Sequence, residues 1–271
     1  MFEEIILLAL AVGIAFLFAW AFRVLPGENW QILACLPGRK RPDGLWTGVN
    51  LTFYGFFNAL AYVVAVAIFL VGTGALGISL LSALTVILPV LTIGMWTSRC
   101  IARYVEKKLS AFSVGAASFA GILIAPWIIL FMNWTAGKWM GFHLPVMGTL
   151  AAMGIAYAFG EGIGRLACIS FGCCYGKPLA ECHPLIRKIF RKRHFIFRGK
   201  PKIIHYDSRL EGRAVVPVQA LTAVICTSAG ILSFYLFLKG FASAAFILAL
   251  LVTQSWRFAS EFLRADYRGQ N

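Results

Sequence analysis

Long apolar runs separated by short polar stretches dominate the chain. A bilayer crossing needs about 20 mostly apolar residues. Seven runs reach that length, at about 5–23, 51–73, 77–97, 109–132, 145–166, 216–238 and 241–262. In hydrocarbon every backbone polar group must pair internally, so the runs predict helices rather than strands. The first four runs carry no charged residue in their middle, whereas the later helices do. The first run follows Glu3 and Glu4, with no Lys or Arg before it. From Ile5 to Phe22 it is longer than a signal-peptide core, and it reads as a retained helix.

Composition agrees with that pattern. The 271 residues are 60% hydrophobic and 13% charged, against roughly 45–50% and 25% in a soluble domain. A disordered chain, a coiled coil and a small disulfide scaffold are excluded. A soluble enzyme is disfavoured. The expected fold class is an all-α integral membrane protein with about seven transmembrane helices and a basic extramembrane loop.

Net charge is +14, from 25 Lys and Arg against 11 Asp and Glu. This charge lies between apolar spans, so it reads as membrane topology and predicts no nucleic-acid partner. Down the chain, alternate connections on one face carry 4, 4, 11 and 2 positive residues, and those on the other carry 0, 0, 1 and 1. The ratio of 21 to 2 puts the N-terminus outside and the 171–215 loop in the cytoplasm by the positive-inside rule. Residues 24–50, with Pro26, Gly27, Pro37, Gly38, Pro42, Gly44 and the run Arg39-Lys40-Arg41, read as a loop packed on the membrane surface. The 171–215 segment interleaves Phe190, Phe195 and Phe197 with Arg187-Lys188 and Arg191-Lys192-Arg193. Such a stretch suits anionic headgroups, or is simply a positive-inside loop.

Charges inside membrane helices are costly and usually functional. Glu161 and Arg165 are four apart at the end of the fifth span, and Arg257 and Glu261 are four apart at the end of the seventh, followed by Arg264. Both pairs share a helix face. They are either two snorkelling end-of-helix pairs or the walls of one cavity. Guanidinium binds phosphate bidentately and keeps its proton, so a shared cavity would hold a phospholipid headgroup or a departing phosphate. Between Gly162 and Gly176 four glycines predict a tight non-helical turn packed on other backbone. Cys168, Cys173, Cys174 and Cys182, with His183 and His205, are candidate metal ligands by type. Their C-x4-C-C-x7-C spacing matches no zinc pattern, so neither metal nor cofactor is expected. A catalytic thiolate beside Arg165 is a further alternative. Cys100 and Cys226 read as small core residues.

The stretch from Gly164 to Gly176 resembles the signature of the bacterial prolipoprotein diacylglyceryl transferases, roughly G-R-x-G-N-F-x-N-x-E-x-x-G. It keeps Gly164, Arg165, Leu166, Gly172, an aromatic at Tyr175, and Gly176. Phe53-Tyr54-Gly55 is similar to the family's Trp-Tyr-Gly, and Val216-Pro217-Val218-Gln219 to its His-Pro-Ser-Gln. Arg257-Phe258, Glu261-Phe262 and Arg264 resemble its F-R-x-x-x-E-F-F-R. Order and spacing agree across about residues 50–266. The resemblance divides the chain into residues 1–50, an extra helix and surface loop, and 51–271, a transferase-like membrane domain with 171–215 as its head loop.

The resemblance implies a multi-pass protein of the bacterial cytoplasmic (inner) membrane. It implies transfer of a diacylglyceryl group from phosphatidylglycerol, or another anionic phospholipid, to the thiol of a prolipoprotein or other acceptor. Arg165, Arg257, Tyr54 and Glu261 would be catalytic. Glu161, Gly164, Gly172, Tyr175, Gly176, Gln219 and Arg264 would bind substrate. There are departures. The family's Asn is Cys168 here, its carboxylate is Cys173, and its His before Pro217 is Val216. Its essential His in S-F-H-G-G has no counterpart in Ser118-Phe119-Ala120-Gly121. Glu161, His205 or Tyr54 would have to handle the proton. The helix frame is also shifted by one, and the family places its signature outside the cytoplasm, opposite to the charge count. Two alternatives follow: a divergent paralogue with another, cytoplasmic-side acceptor, and a non-catalytic phospholipid-binding or transport protein.

Overall fold

The computed structural model describes residues 2–29, 31–104 and 114–265. The described residues form ten α-helices, one β-hairpin and a second, two-residue antiparallel strand pair. Helix α1 (Phe2–Val24) leads into strands β1 (Ile32–Lys40) and β2 (Trp46–Thr52). Then come α2 (Phe53–Ala75), α3 (Leu80–Tyr104), α4 (Val114–Trp134), a short α5 (Ala136–Met140) and α6 (Val146–Phe171). The head that follows contains α7 (Pro184–Phe190), β3 (Phe195–Ile196), α8 (Ile203–Tyr206) and β4 (Ala214–Val215). The chain returns to the bundle with α9 (Val218–Leu238) and α10 (Ala242–Glu261).

Among the described residues six helices are long and apolar enough to cross a bilayer: α1, α2, α3, α6, α9 and α10. This is the all-helical membrane fold that the apolar runs predict. The expected span 109–132 corresponds to α4, whose described apolar stretch is the shorter Ala120–Trp134. Residues 109–113 of that span lie outside the described residues. The outer helices turn large apolar side chains outward, among them Phe16, Val63, Trp96 and Trp127, as a hydrocarbon solvent requires.

Helix α6 is the centre of the bundle. Two thirds of its apolar window is buried, 67%, against 17% for α10. It packs on α2, α9 and α10 through small residues. Gly72 of α2 faces Ala152, and a Cβ added to Gly162 would lie 2.1 Å from Thr227 Oγ1 of α9. Close backbone approach of this kind replaces the hydrophobic drive that is missing between helices in lipid. The tight non-helical turn expected between Gly162 and Gly176 is found, but only from Gly172 on. Gly162 and Gly164 are inside α6, which runs on to Phe171, and only 172–176 leaves the helix. The buried contacts of Glu161 and Arg165 let the helix continue past them.

The 24–50 segment is not an irregular loop. It pairs as a hairpin, with Ala34 opposite Leu51 and Lys40 opposite Trp46. Its turn is Pro42-Asp43-Gly44: Gly44 N–H donates to the Arg41 carbonyl, 3.0 Å, and the Asp43 carboxylate accepts from Leu45 N–H, 3.0 Å. Pro sets the first φ of such a turn, and Asp caps it through its own side chain.

Helices α1, α6 and α10 end, and α2 and α9 begin, at the same end of the bundle. Lys202, fully buried in the head, ties two of these ends together. Its Nζ donates to the Leu25 carbonyl after α1, 2.8 Å, and to the Ser170 carbonyl of α6, 2.7 Å. A cation suits the negative end of a helix, while burial pushes the Lys202 ammonium down to about 8. Phe195, Phe197, Ile204 and Val215 of the head join the core of the bundle. The hairpin, the head and residues 262–265 after α10 therefore share one end.

Candidate functional site

Glu161 lies ten residues, nearly three turns, before the end of α6, and its side chain is only 4% exposed. The i,i+4 spacing brings Arg165 onto the same face, and its Nη2 donates to Glu161 Oε1. The other carboxylate oxygen faces Arg257 of α10, whose Nη1 is 3.7 Å away. The two clusters expected from sequence thus meet on one carboxylate. A buried carboxylate left unpaired would be far more costly than an exposed i,i+4 pair is favourable. Arg257 accordingly turns to Glu161 instead of to Glu261, the partner its spacing suggests. Glu261 is 46% exposed and sits 3.7 Å from Arg264. The i,i+4 spacing of Arg257 and Glu261 is thus not the pairing found: Arg165 and Arg257 both face Glu161, and Glu261 faces Arg264.

Two further groups hold Arg257. Its Nη1 donates to Tyr157 Oη of α6, 3.1 Å, and to Ser118 Oγ of α4, 3.2 Å. Sequence reasoning missed both residues as partners of Arg257. Tyr157 carried a signal, since it lies four before Glu161 on the same helix face. Ser118 carried none, since only the tertiary fold brings α4 to α10. Two guanidiniums around one carboxylate leave this group with a net positive charge among helices, which favours an anion.

Beyond Arg165 the helix closes in a Schellman motif. Gly172 takes the left-handed conformation, φ 68°, and Cys173 N–H reaches back to the Cys168 carbonyl, 3.1 Å. That bond brings residues five apart together. Cys174 follows with φ 55°. The Sγ atoms of Cys168, Cys173 and Cys174 lie within 4.8 Å of one another. Cys182 is buried elsewhere and donates to the Pro178 carbonyl, 3.3 Å. His183 caps α7, and His205 pairs with Glu211. Of the six candidate ligands, three come together.

The remaining expected residues build this end of the bundle. Tyr54, in the first turn of α2, has its ring 5.2 Å from Phe171 and is 42% exposed. Gln219, at the start of α9, donates from Nε2 to the Cys173 carbonyl, 2.8 Å. Its Oε1 is buried with no hydrogen-bond partner among the described residues. Tyr175 is fully buried, and its hydroxyl donates to Asp207 Oδ2, 2.6 Å. This bond ties Tyr175 to the 203–207 part of the head. Gly176 bridges to Arg264, and a Cβ there would lie 2.3 Å from the Val216 carbonyl oxygen. Gly164 packs opposite Ala61. Arg264 is 9% exposed. A shallow, open apolar groove between α9 and α10 is lined by Ile225, Leu251, Val252 and Trp256 among others.

No family model matches the chain, and no curated protein matches it.

Proposed function

We propose that the protein is a membrane-embedded transferase that moves a diacylglyceryl group from phosphatidylglycerol to an acceptor thiol. One observation carries the reading: Arg165 and Arg257, from different helices, converge on the buried carboxylate of Glu161. Glu161 fixes both guanidiniums, and their remaining N–H groups hold the phosphate of the lipid. The acceptor sulfur attacks the glycerol carbon, the carbon–oxygen bond breaks, and glycerol phosphate leaves with the electron pair. The arginines stabilise that charge in a site of low dielectric, where such donors are worth roughly 10²–10³ in rate each. The groove between α9 and α10 takes acyl chains, and Tyr54 reaches the headgroup. The resemblance of Gly164–Gly176, Tyr54 and Arg257–Arg264 to the diacylglyceryl transferases supports the same chemistry.

Purified protein in phosphatidylglycerol vesicles with a thiol peptide should release glycerol phosphate. Arg165→Ala and Arg257→Ala should abolish that release while the protein still inserts. Binding of phosphatidylglycerol without any release would instead identify a non-catalytic lipid-binding protein.

A second reading concerns the acceptor. The connections at the site's end of the bundle belong to the face carrying 21 positive residues against 2. A cytoplasmic site would meet cytoplasmic or lipid acceptors, and not translocated prolipoproteins.

A further inference from the structure

The thiols at the end of α6 take no part in the phosphate clamp, and their backbone is held from several directions. The Gly172 carbonyl accepts from Ile204 N–H, 3.1 Å, and the Tyr175 carbonyl from Ala265 N–H, 3.1 Å. The Cys173 carbonyl accepts from Gln219, and Lys177 N–H donates to the Leu263 carbonyl, 2.9 Å. Cys174 is held in a left-handed conformation that side-chain-bearing residues rarely adopt. Strain kept in place by its surroundings clusters at ligand clamps. Cys182 and Cys226 are buried as ordinary small core residues, whereas these three keep partial exposure.

We propose that Cys168, Cys173 and Cys174 bind one thiophilic d10 cation of the zinc class, and that its open fourth position takes the acceptor thiol. The second half rests on the diacylglyceryl-transfer reading, and the first half does not. Zinc–sulfur bonds of about 2.3 Å put tetrahedral ligands about 3.8 Å apart, so the thiols need to close by at most about 1 Å. Each thiol gives up its proton to water on ligation. Three thiolates around a divalent ion carry one negative charge, and Arg165 and Arg264 are near enough to Cys174 to act on it electrostatically. Three protein ligands leave the fourth position that catalytic zinc sites keep open.

A thiol bound there is deprotonated outright. Its proton passes to water, so the chain needs no counterpart of the family's missing histidine. The sulfur electron pair then forms the carbon–sulfur bond to glycerol. The broken carbon–oxygen pair leaves on glycerol phosphate, against Arg165 and Arg257. The neutral thioether is a weak ligand and departs.

The test is an anaerobic titration of the reduced, full-length protein with cadmium, read as thiolate-to-metal charge transfer in the ultraviolet. One equivalent should bind. Cys168→Ser, Cys173→Ser and Cys174→Ser should each weaken binding by more than the roughly 10- to 100-fold that outer-shell changes cost. Cys35→Ser, Cys100→Ser, Cys182→Ser and Cys226→Ser should leave it unchanged. In the unmutated chain, cadmium should protect those three cysteines from a thiol reagent, as mapped by mass spectrometry. No charge transfer, or protection spread over other cysteines, overturns the site. Metal binding without glycerol phosphate release upholds the site and removes its role in transfer. Release that persists after the metal is stripped leaves the transfer reading standing and overturns the metal's part in it.

Discussion

Arg257 of α10 lies 3.7 Å from the carboxylate of Glu161 on α6, which also binds Arg165 one turn along. Two cations and one buried anion from two helices form a single electrostatic unit. Removing the anion is the most damaging change to that unit. Glu161→Gln should destabilise the protein by about 3–5 kcal/mol, the cost of leaving buried charge uncompensated. Thermal unfolding in detergent measures it. A melting temperature within a degree of the unmutated protein would show that the arginines do not depend on Glu161.

Gly176 and Gly13 predict opposite outcomes for the same substitution. A Cβ at Gly176 would lie 2.3 Å from the Val216 carbonyl, while one at Gly13 meets nothing within 4 Å. Gly176→Ala should detach the start of the head from α9 and cost at least the roughly 1–3 kcal/mol of overpacking. Gly13→Ala should be neutral or slightly stabilising, since alanine favours a helix by about 1 kcal/mol over glycine. Protease sensitivity of the 172–217 head, compared between the two variants, checks the contrast.

Lys202 makes the junction between head and bundle depend on pH. Its ammonium is pushed down to about 8 from the usual 10.5 by burial. The unfolded chain therefore holds this proton more tightly than the folded one. Below about 8 the lysine is charged in both states and the penalty of burying it is complete. Between about 8 and 10.5 the penalty falls away, so stability rises with pH, by at most on the order of 3 kcal/mol. Lys202→Met removes the donor to Leu25 and Ser170 and should abolish this alkaline gain. The check is unfolding of both proteins across that pH range.

The spans were legible because length and apolarity alone define them, and six of the seven are found as long apolar helices. Pro42-Asp43-Gly44 between two apolar stretches is a turn signal for the hairpin, but the adjacent basic run Arg39-Lys40-Arg41 reads equally as a membrane-surface loop. The pairing of Arg257 with Glu161 was not legible, because local spacing offers Glu261 and only the crossing of α6 and α10 offers a better-buried partner. The thiol cluster was hidden for another reason. Compared with zinc-finger spacings, Cys-x4-Cys means little. At the end of a helix, with Gly172 at the left-handed position, the same spacing is the pair that a Schellman motif joins.

The sidedness of the head decides which acceptors the site can meet. A single cysteine introduced at Lys200, in a chain lacking the exposed Cys35, should react with a membrane-impermeant reagent only after lysis, as the charge count requires. Labelling in intact cells would place the head outside, as in the diacylglyceryl transferases. A translocated prolipoprotein would then be the acceptor.

In the proposed transferase, Arg165 and Arg257 clamp one phosphate as a unit. Lysine keeps the charge at each position but loses the planar fork. Glycerol phosphate release should therefore be measured for Arg165→Lys, Arg257→Lys and the double variant. A shared phosphate predicts strong coupling: each single change lowers the rate by about 10²-fold or more, and the double variant loses little beyond the worse single. Independent, multiplying losses, or near-normal release from both single variants, would contradict the clamp.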